Sequence, residues 1–386
     1  MKKYLTPVVT EMPPSGIRKF FDLVSTMKDV ISLGVGEPDF VTPWTVRESG
    51  IYSLEQGQTM YTSNAGLLQL RQELSRYMNK SLGLNYDPNE EILITVGASE
   101  AVDLVMRALL GPQDVVLLPE PSYVSYGPCA TLAGAEVQYV PTWANEDFRL
   151  RVKDLEETYT PKAKLLVLSY PNNPTGAIMT REDLLPIAMF VEEHDLLVLS
   201  DEIYSDLTYA GTHTAFASLP GMRNRTLHLS GFSKAYAMTG WRIGYVAGHP
   251  DLIQGMTKIH QYTILCAPIT AQYAALEALT SADQAKREMV DTYNQRRRLM
   301  VNGFRAMGLS CFEPLGAFYV FPNISATGLS SEDFCEQLLN EEKVAVVPGS
   351  VFGPSGEGHI RCSYAYSTEQ LKTALERISR FVQRRL

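Results

Sequence analysis

The chain has 386 residues, 45% of them hydrophobic and 20% charged, and a formal net charge of -9. That length exceeds one small core and predicts a large domain with a smaller companion, while the acidic balance argues against a nucleic-acid partner, whose recognition rests on a basic surface. No apolar run approaches bilayer-crossing length, so no membrane partner is expected, and no apolar stretch follows the two lysines at the start, so a cytoplasmic location is expected.

The first forty residues are rich in proline and glycine and are expected to cross over to the C-terminal part of the fold. From about Glu91 to Gly248, the short apolar runs ILITVG, DVVLLP, EVQYVP, KLLVLSYP, DLLVLSDEIY, RTLHLSGF and RIGYVAG alternate with longer amphipathic stretches. Such alternation predicts an α/β fold, a mostly parallel sheet flanked by helices. Helices are predicted over Ser99 to Leu110 and Arg181 to His194, the second capped by Thr180. Beyond about Ala285 a long charged helical pattern follows, with Arg296, Arg297 and Arg298 read as a solvated face. GAFYVFPNI, KVAVVPG and HIRCSYAYS then read as strands of a smaller α+β domain. The division is expected at 46–284 for the large domain, with 1–45 and 285–386 forming the small domain and an N-terminal lid segment.

The five cysteines are widely spaced without a CxxC pair, and the six histidines are dispersed without HExxH, so neither a disulfide framework nor a metal site is predicted. Open parallel sheets bind ligands beyond the carboxyl ends of their strands. Gly97 to Ser99, Tyr123, Asn173, Asp201 and Lys234 all fall at or just after the end of an apolar run. In SGFSKAYAMTGWRIGY, Ser230 to Tyr245, a short polar turn leaves the Lys234 amine free to react, with Arg242 eight residues on. An amine able to form a Schiff base beside a fixed cation suits pyridoxal 5'-phosphate; the other reading of this segment alone, and the lesser one, is an ordinary surface lysine.

The other candidates carry the same double reading. SYPNNPTG is a turn by composition, yet Asn173 can donate to a cofactor phenolate oxygen. Asp201 in DEIY can cap a helix or pair with a protonated pyridine nitrogen, and Tyr204 can bond the ring oxygen. VGASEA places the amides of Ala98 and Ser99 at a helix start, where they can hold a phosphate, although many α/β proteins have such turns without a ligand. Tyr123 packs a core edge or stacks on a flat ring. Arg361 pairs with a surface acid or grips a substrate carboxylate with its fork.

Taken in order, SLGVGEPDF, YTSNAGLLQLR, PNNPTG, SDEIY, SGFSKAYAMTGWRIGY and IRCSYA resemble a class I/II aminotransferase of the fold-type I pyridoxal phosphate superfamily, over almost the whole chain. The resemblance lies with the subgroup of bacterial and archaeal aspartate, aromatic and alanine aminotransferases. It implies Lys234 as the Schiff-base lysine, Asp201 as the pyridine partner, Asn173 and Tyr204 on the ring oxygen, and Tyr123 as the stacking ring. It further implies Ala98, Ser99, Ser233 and Arg242 on the phosphate, Tyr61 reaching it from the other subunit of a homodimer, and Arg361 with the backbone of Gly36 on the substrate α-carboxylate. Some relatives carry serine three residues before the lysine. Here that residue is Gly231, and Ser230 or Ser233 stands in for it.

The implied activity is ping-pong transfer of an amino group from an L-amino acid to a 2-oxo acid, 2-oxoglutarate or pyruvate. PPSGIRKFFDL and KIHQY look similar to Gram-positive aminotransferases assigned to alanine or N-acetyl-diaminopimelate; aspartate, aromatic amino acids and methionine remain possible donors. Ile17, Arg18 and Lys19 are expected to form a lid with a cation for a distal carboxylate, or else to face solvent. A C–S lyase or decarboxylase on the same fold shares every cofactor contact and is the alternative. The chain has no GxGxxG for a nicotinamide oxidoreductase.

Overall fold

The structure is a computed structural model that describes residues 1–14, 16, 27 and 29–386. Strand β1 (Ile31–Ser32) precedes a seven-stranded sheet formed by β2 (Ile92–Thr95), β3 (Val115–Glu120), β4 (Glu136–Pro141), β5 (Ala163–Ser169), β6 (Leu197–Asp201), β7 (Thr226–Gly231) and β8 (Gly244–Ala247). The spatial order is β2-β8-β7-β6-β5-β3-β4. The run from β7 to β4 is parallel, whereas β8 is antiparallel to both neighbours. Every residue of β2, β3 and β8 is buried. Helices cover both faces, which is why these strands read as unbroken apolar runs.

On one face, helices Gly97–Leu109 and Pro250–Thr263 pack Val105, Met106 and Met256 against Leu118, Leu229 and Val246. The other face carries Trp44–Glu55, Leu68–Leu82 and Ile269–Ser281 towards one end and Arg181–Glu193 towards the other. Thr180 caps the last of these in a full capping box with Asp183, as its sequence predicts. The helix expected from Ser99 begins two residues earlier, because Gly97 takes a left-handed turn at φ 72° directly off the strand.

After the 24-residue helix Asp283–Ala306, strands β9 (Tyr319–Val320), β10 (Val344–Ala345), β11 (Val347–Pro348) and β12 (Ile360–Ser363) join helices Ser331–Glu342 and Thr368–Gln383. Their core gathers Phe304, Phe318, Phe334, Tyr364 and Phe381 around Leu33. Parallel pairing of β1 with β10, Ile31 beside Val344, brings the N-terminal segment across to this part of the molecule.

The arginine cluster departs from expectation. Arg296 and Arg297 are buried, and only Arg298 of the three is exposed. Arg296 Nη1 meets Asp39 Oδ1 at 2.8 Å beneath the Phe40 and Tyr293 rings, and Arg297 Nη1 meets Glu313 Oε1 at 2.8 Å. The acids that neutralise them come from segments remote in sequence, so helical periodicity alone assigned those positions to solvent. All five cysteines are free thiols. Among the described residues no helix is long and apolar enough to cross a membrane, and no group of three or more potential ligand side chains is placed to hold a metal ion.

Candidate active site

The carboxyl ends of β5, β6 and β7 open into a cavity of about 690 Å³, roofed by the segment after β1 and by β12. It brings together Gly36, Ala98, Ser99, Tyr123, Asn173, Asp201, Tyr204, Ser233, Lys234, Arg242 and Arg361. Residues separated by more than three hundred positions thus meet at the strand ends that the sheet topology designates.

Lys234 follows β7 by three residues, and its Nζ donates to the Gly36 carbonyl at 2.7 Å. Burial brings its amine down to about 8; Arg361 and Arg242 push the same way, against Glu37 and Asp201. Asp201 ends β6 and is buried, which raises its carboxyl pKa. The Tyr126 hydroxyl donates to its Oδ2 at 2.7 Å and the Ile203 amide to its Oδ1 at 3.1 Å, both opposing that rise. A carboxylate taken out of water in this way is stabilised by a cationic partner.

The turn after β5 divides its two asparagines. Asn172 Oδ1 accepts from the Thr175 amide at 3.1 Å and from its hydroxyl at 2.8 Å, which builds the turn. Asn173 is left to face the cavity, where its Oδ1 accepts from Arg361 Nη1 at 2.9 Å. Arg361 Nη2 donates to the Gly34 carbonyl, and the guanidinium lies 4.6 Å from the Tyr319 ring centre and 4.9 Å from that of Phe352. The fork is therefore fixed in place, while its buried Nε has no partner among the described residues. Tyr204 and Tyr319 join hydroxyls at 2.8 Å.

At the other end, Gly97 and Gly244 make room for a tight cup. A Cβ on Gly97 would lie 2.5 Å from Arg242 Nη2, and one on Gly244 would lie 2.7 Å from the Ala98 amide nitrogen. The helix start, with its free amides, therefore approaches both a guanidinium and a strand backbone, an arrangement suited to a phosphate.

Two expected members, Ser230 and Tyr61, stand apart from the lining. Ser230 lies within β7 and donates its hydroxyl to the Glu202 carbonyl at 3.2 Å, away from the cavity, so of the two serines only Ser233 faces it. Tyr61 is 81% exposed and outside the lining. Ile17, Arg18 and Lys19 fall outside the described residues. Conversely, Tyr126 and Tyr319 line the cavity without having been singled out in the sequence. The one available signal was the second tyrosine of EPSYVSY, three residues beyond Tyr123.

The residues present fit pyridoxal phosphate corner by corner: an amine of lowered pKa for the aldehyde, a buried carboxylate for the pyridine nitrogen, and a glycine-walled cup for the phosphate. Fold and cavity together define a pyridoxal-phosphate-dependent α/β transferase. Residues 28–378 match the family model described as aminotransferase class I and II. The chain is 53% identical over 384 residues to the putative aminotransferase YugH of Bacillus subtilis (strain 168), covering 100% of both. It is 44% identical over 373 residues to the aspartate aminotransferase of Pyrococcus abyssi, covering 96% of each. The crystal structure of an aromatic aminotransferase from Pyrococcus horikoshii OT3 superposes with a TM-score of 0.92 at 44% identity, over 96% of this chain and 99% of that one. The chain belongs to the class I and II aminotransferases. It is an aminotransferase dependent on pyridoxal phosphate, and a lyase or decarboxylase is not favoured.

Proposed function

We propose that this chain moves the amino group of an L-amino acid to 2-oxoglutarate or pyruvate by a ping-pong mechanism, as a cytoplasmic homodimer. The donor is drawn from alanine, aspartate, the aromatic amino acids, methionine and N-acetyl-diaminopimelate. The observation that carries the reading is the convergence of Lys234, Asp201 and Arg361 on one cavity. When bound, pyridoxal phosphate supplies an electron sink for the pair left at the substrate α-carbon.

The remaining work belongs to the chain. Asp201 would hold the pyridine nitrogen, Tyr123 the ring face, Asn173 and Tyr204 the ring oxygen, and Ala98, Ser99, Ser233 and Arg242 the phosphate. Arg361 and the Gly36 backbone take the substrate α-carboxylate. Lys234 Nζ, free-based above about pH 8, accepts the α-proton and returns it, as general base and then acid. Residues 46–284 form the cofactor unit in this reading, with 1–45 and 285–386 bringing Arg361 to it.

A second copy covers the exposed apolar side chains Trp44, Ile51, Tyr52 and Met60, and Tyr61 extends from it to the phosphate. Among the described residues the cations lining the cavity are Lys234, Arg242 and Arg361, and each already has a role. In this reading a distal carboxylate is met by Arg18 or Lys19, which fall outside the described residues; Arg18→Gln with Lys19→Gln should then raise KM for 2-oxoglutarate while leaving that for pyruvate unchanged, and an unchanged KM for 2-oxoglutarate would mean that both cations face solvent.

The deciding experiment is the visible absorption spectrum of the purified protein during sequential addition of amino acids and 2-oxo acids. A band that one amino acid bleaches and a 2-oxo acid restores supports both half-reactions and ranks the substrates; a band that never exchanges, or no band, overturns the proposal.

A further inference from the structure

Glu100 sits in the first turn of helix Gly97–Leu109, next to Ser99, whose amide is assigned with that of Ala98 to the phosphate. A carboxylate so close to a dianion's site opposes binding unless it is held elsewhere. Two contacts hold it. Glu100 Oε2 accepts from the Val96 amide at 2.5 Å, and the His260 Nδ1–H donates to Oε1 at 2.6 Å. Val96 occupies the N-cap position with a side chain that can accept nothing, so Glu100 caps the helix from within it. His260 is fully buried on helix Pro250–Thr263, which packs on the same face of the sheet. Its Nε2 has no partner among the described residues, so the Glu100 carboxylate is the ring's one polar engagement there.

We propose that His260 is a positioning residue for the cofactor phosphate. By keeping Glu100 on the Val96 amide, it holds the carboxylate off the amides of Ala98 and Ser99 and leaves them to the phosphate. The inference rests on the pyridoxal phosphate reading of the cavity. Buried histidines usually satisfy their surroundings and nothing more; here the partner is an acid that, released, would compete for the ligand's own site.

The test follows release and rebinding of pyridoxal phosphate by visible absorbance in the wild-type holoenzyme and in His260→Leu, His260→Asn, Glu100→Gln and the Glu100→Gln/His260→Leu double variant. Pyridoxal, which lacks the phosphate, is titrated in parallel. His260→Leu should weaken pyridoxal phosphate roughly tenfold or more, the scale of a lost hydrogen bond to a charged group, and leave pyridoxal unchanged. His260→Asn, which keeps a donor near the Nδ1 position, should recover most of the loss, and the double variant should bind like Glu100→Gln. Equal weakening of both ligands, or no weakening, overturns the proposal. Should His260→Leu fail to fold, Glu100→Gln still decides: its amide keeps the cap without the charge, so pyridoxal phosphate must bind at least as tightly as in the wild type, and a tenfold loss overturns the inference. A wild-type protein without a visible band would remove the cofactor reading itself, whereas a wild-type band with unaltered variants removes only the role of His260.

Discussion

Lys234 depends on its surroundings for reactivity. A surface lysine is almost wholly protonated at neutral pH, but burial brings this amine to about 8, so an appreciable fraction is free there. In cofactor-free protein, the rate of combination with pyridoxal phosphate should rise with pH through a midpoint near 8 and level off above it; a midpoint near 10.5 would contradict the buried setting. Lys234→Ala should cut turnover by a factor on the order of 10³ or more, by steady-state assay, since in the proposed reading the variant loses the group that moves the α-proton. Tyr126 acts one step back. Its hydroxyl bond to Asp201 opposes the effect of burial, so Tyr126→Phe should lower kcat roughly ten- to hundredfold with little change in KM. Lys234, Asp201, Asn173 and Arg361 could be picked out in the sequence because each lies in a short motif, although each motif alone has a second reading and only their order along the chain carries the resemblance. Tyr126 and Tyr319 were not, because their partners, Asp201 and Tyr204, are distant in sequence and only the folded sheet brings them close.

At the scale of single elements, termini carry most of the information. The Thr180 capping box was readable because cap and partner are three residues apart; Thr180→Ala should cost about 1 kcal/mol in denaturant unfolding and leave activity unchanged. The helix at Gly97 shows what sequence leaves out. A glycine after a strand signals a turn, but nothing local announces that Arg242 will lie where its Cβ would be. Gly97→Ala should therefore both strain a left-handed residue, by about 1–2 kcal/mol, and push Arg242 aside. Its pyridoxal phosphate affinity should fall more than its thermal stability suggests, as read by absorbance titration beside a melting curve. Arg296 and Arg297 make the same point in reverse: periodicity placed the helix correctly, but the acids that bury these arginines belong to other segments.

Across the whole molecule, the cofactor end of the large sheet rests on a buried acid that has no part in the chemistry. Glu202 follows Asp201 directly and receives the Ser200 hydroxyl at 2.8 Å and the Phe216 amide at 3.2 Å, with His213 Nε2 at 2.6 Å and His228 Nδ1 at 3.3 Å. Burial alone would raise its pKa, but His228 and His213 outweigh that and hold the carboxyl well below the ordinary carboxylate range. A carboxyl depressed in the folded state contributes stability that is complete above its unfolded value, near 4.5, and is lost as pH falls towards the folded value. The contact links the end of β6 to the loop through His213 and to β7 through His228, so the strain of losing it falls on the strand that presents Asp201. His213→Gln removes the imidazole that meets Glu202 Oε2 at 2.6 Å while keeping a donor of similar reach. The variant should be destabilised at pH 7 by roughly 1–2 kcal/mol, the scale of one weakened hydrogen bond to a buried charged group that keeps its other partners. The gap between its melting temperature and that of the wild type should narrow as pH drops below about 4.5, because the variant's Glu202 takes up its proton earlier and has less stability to lose. A gap that stays constant from pH 7 down to pH 3 would mean that His213 supports the loop by packing alone.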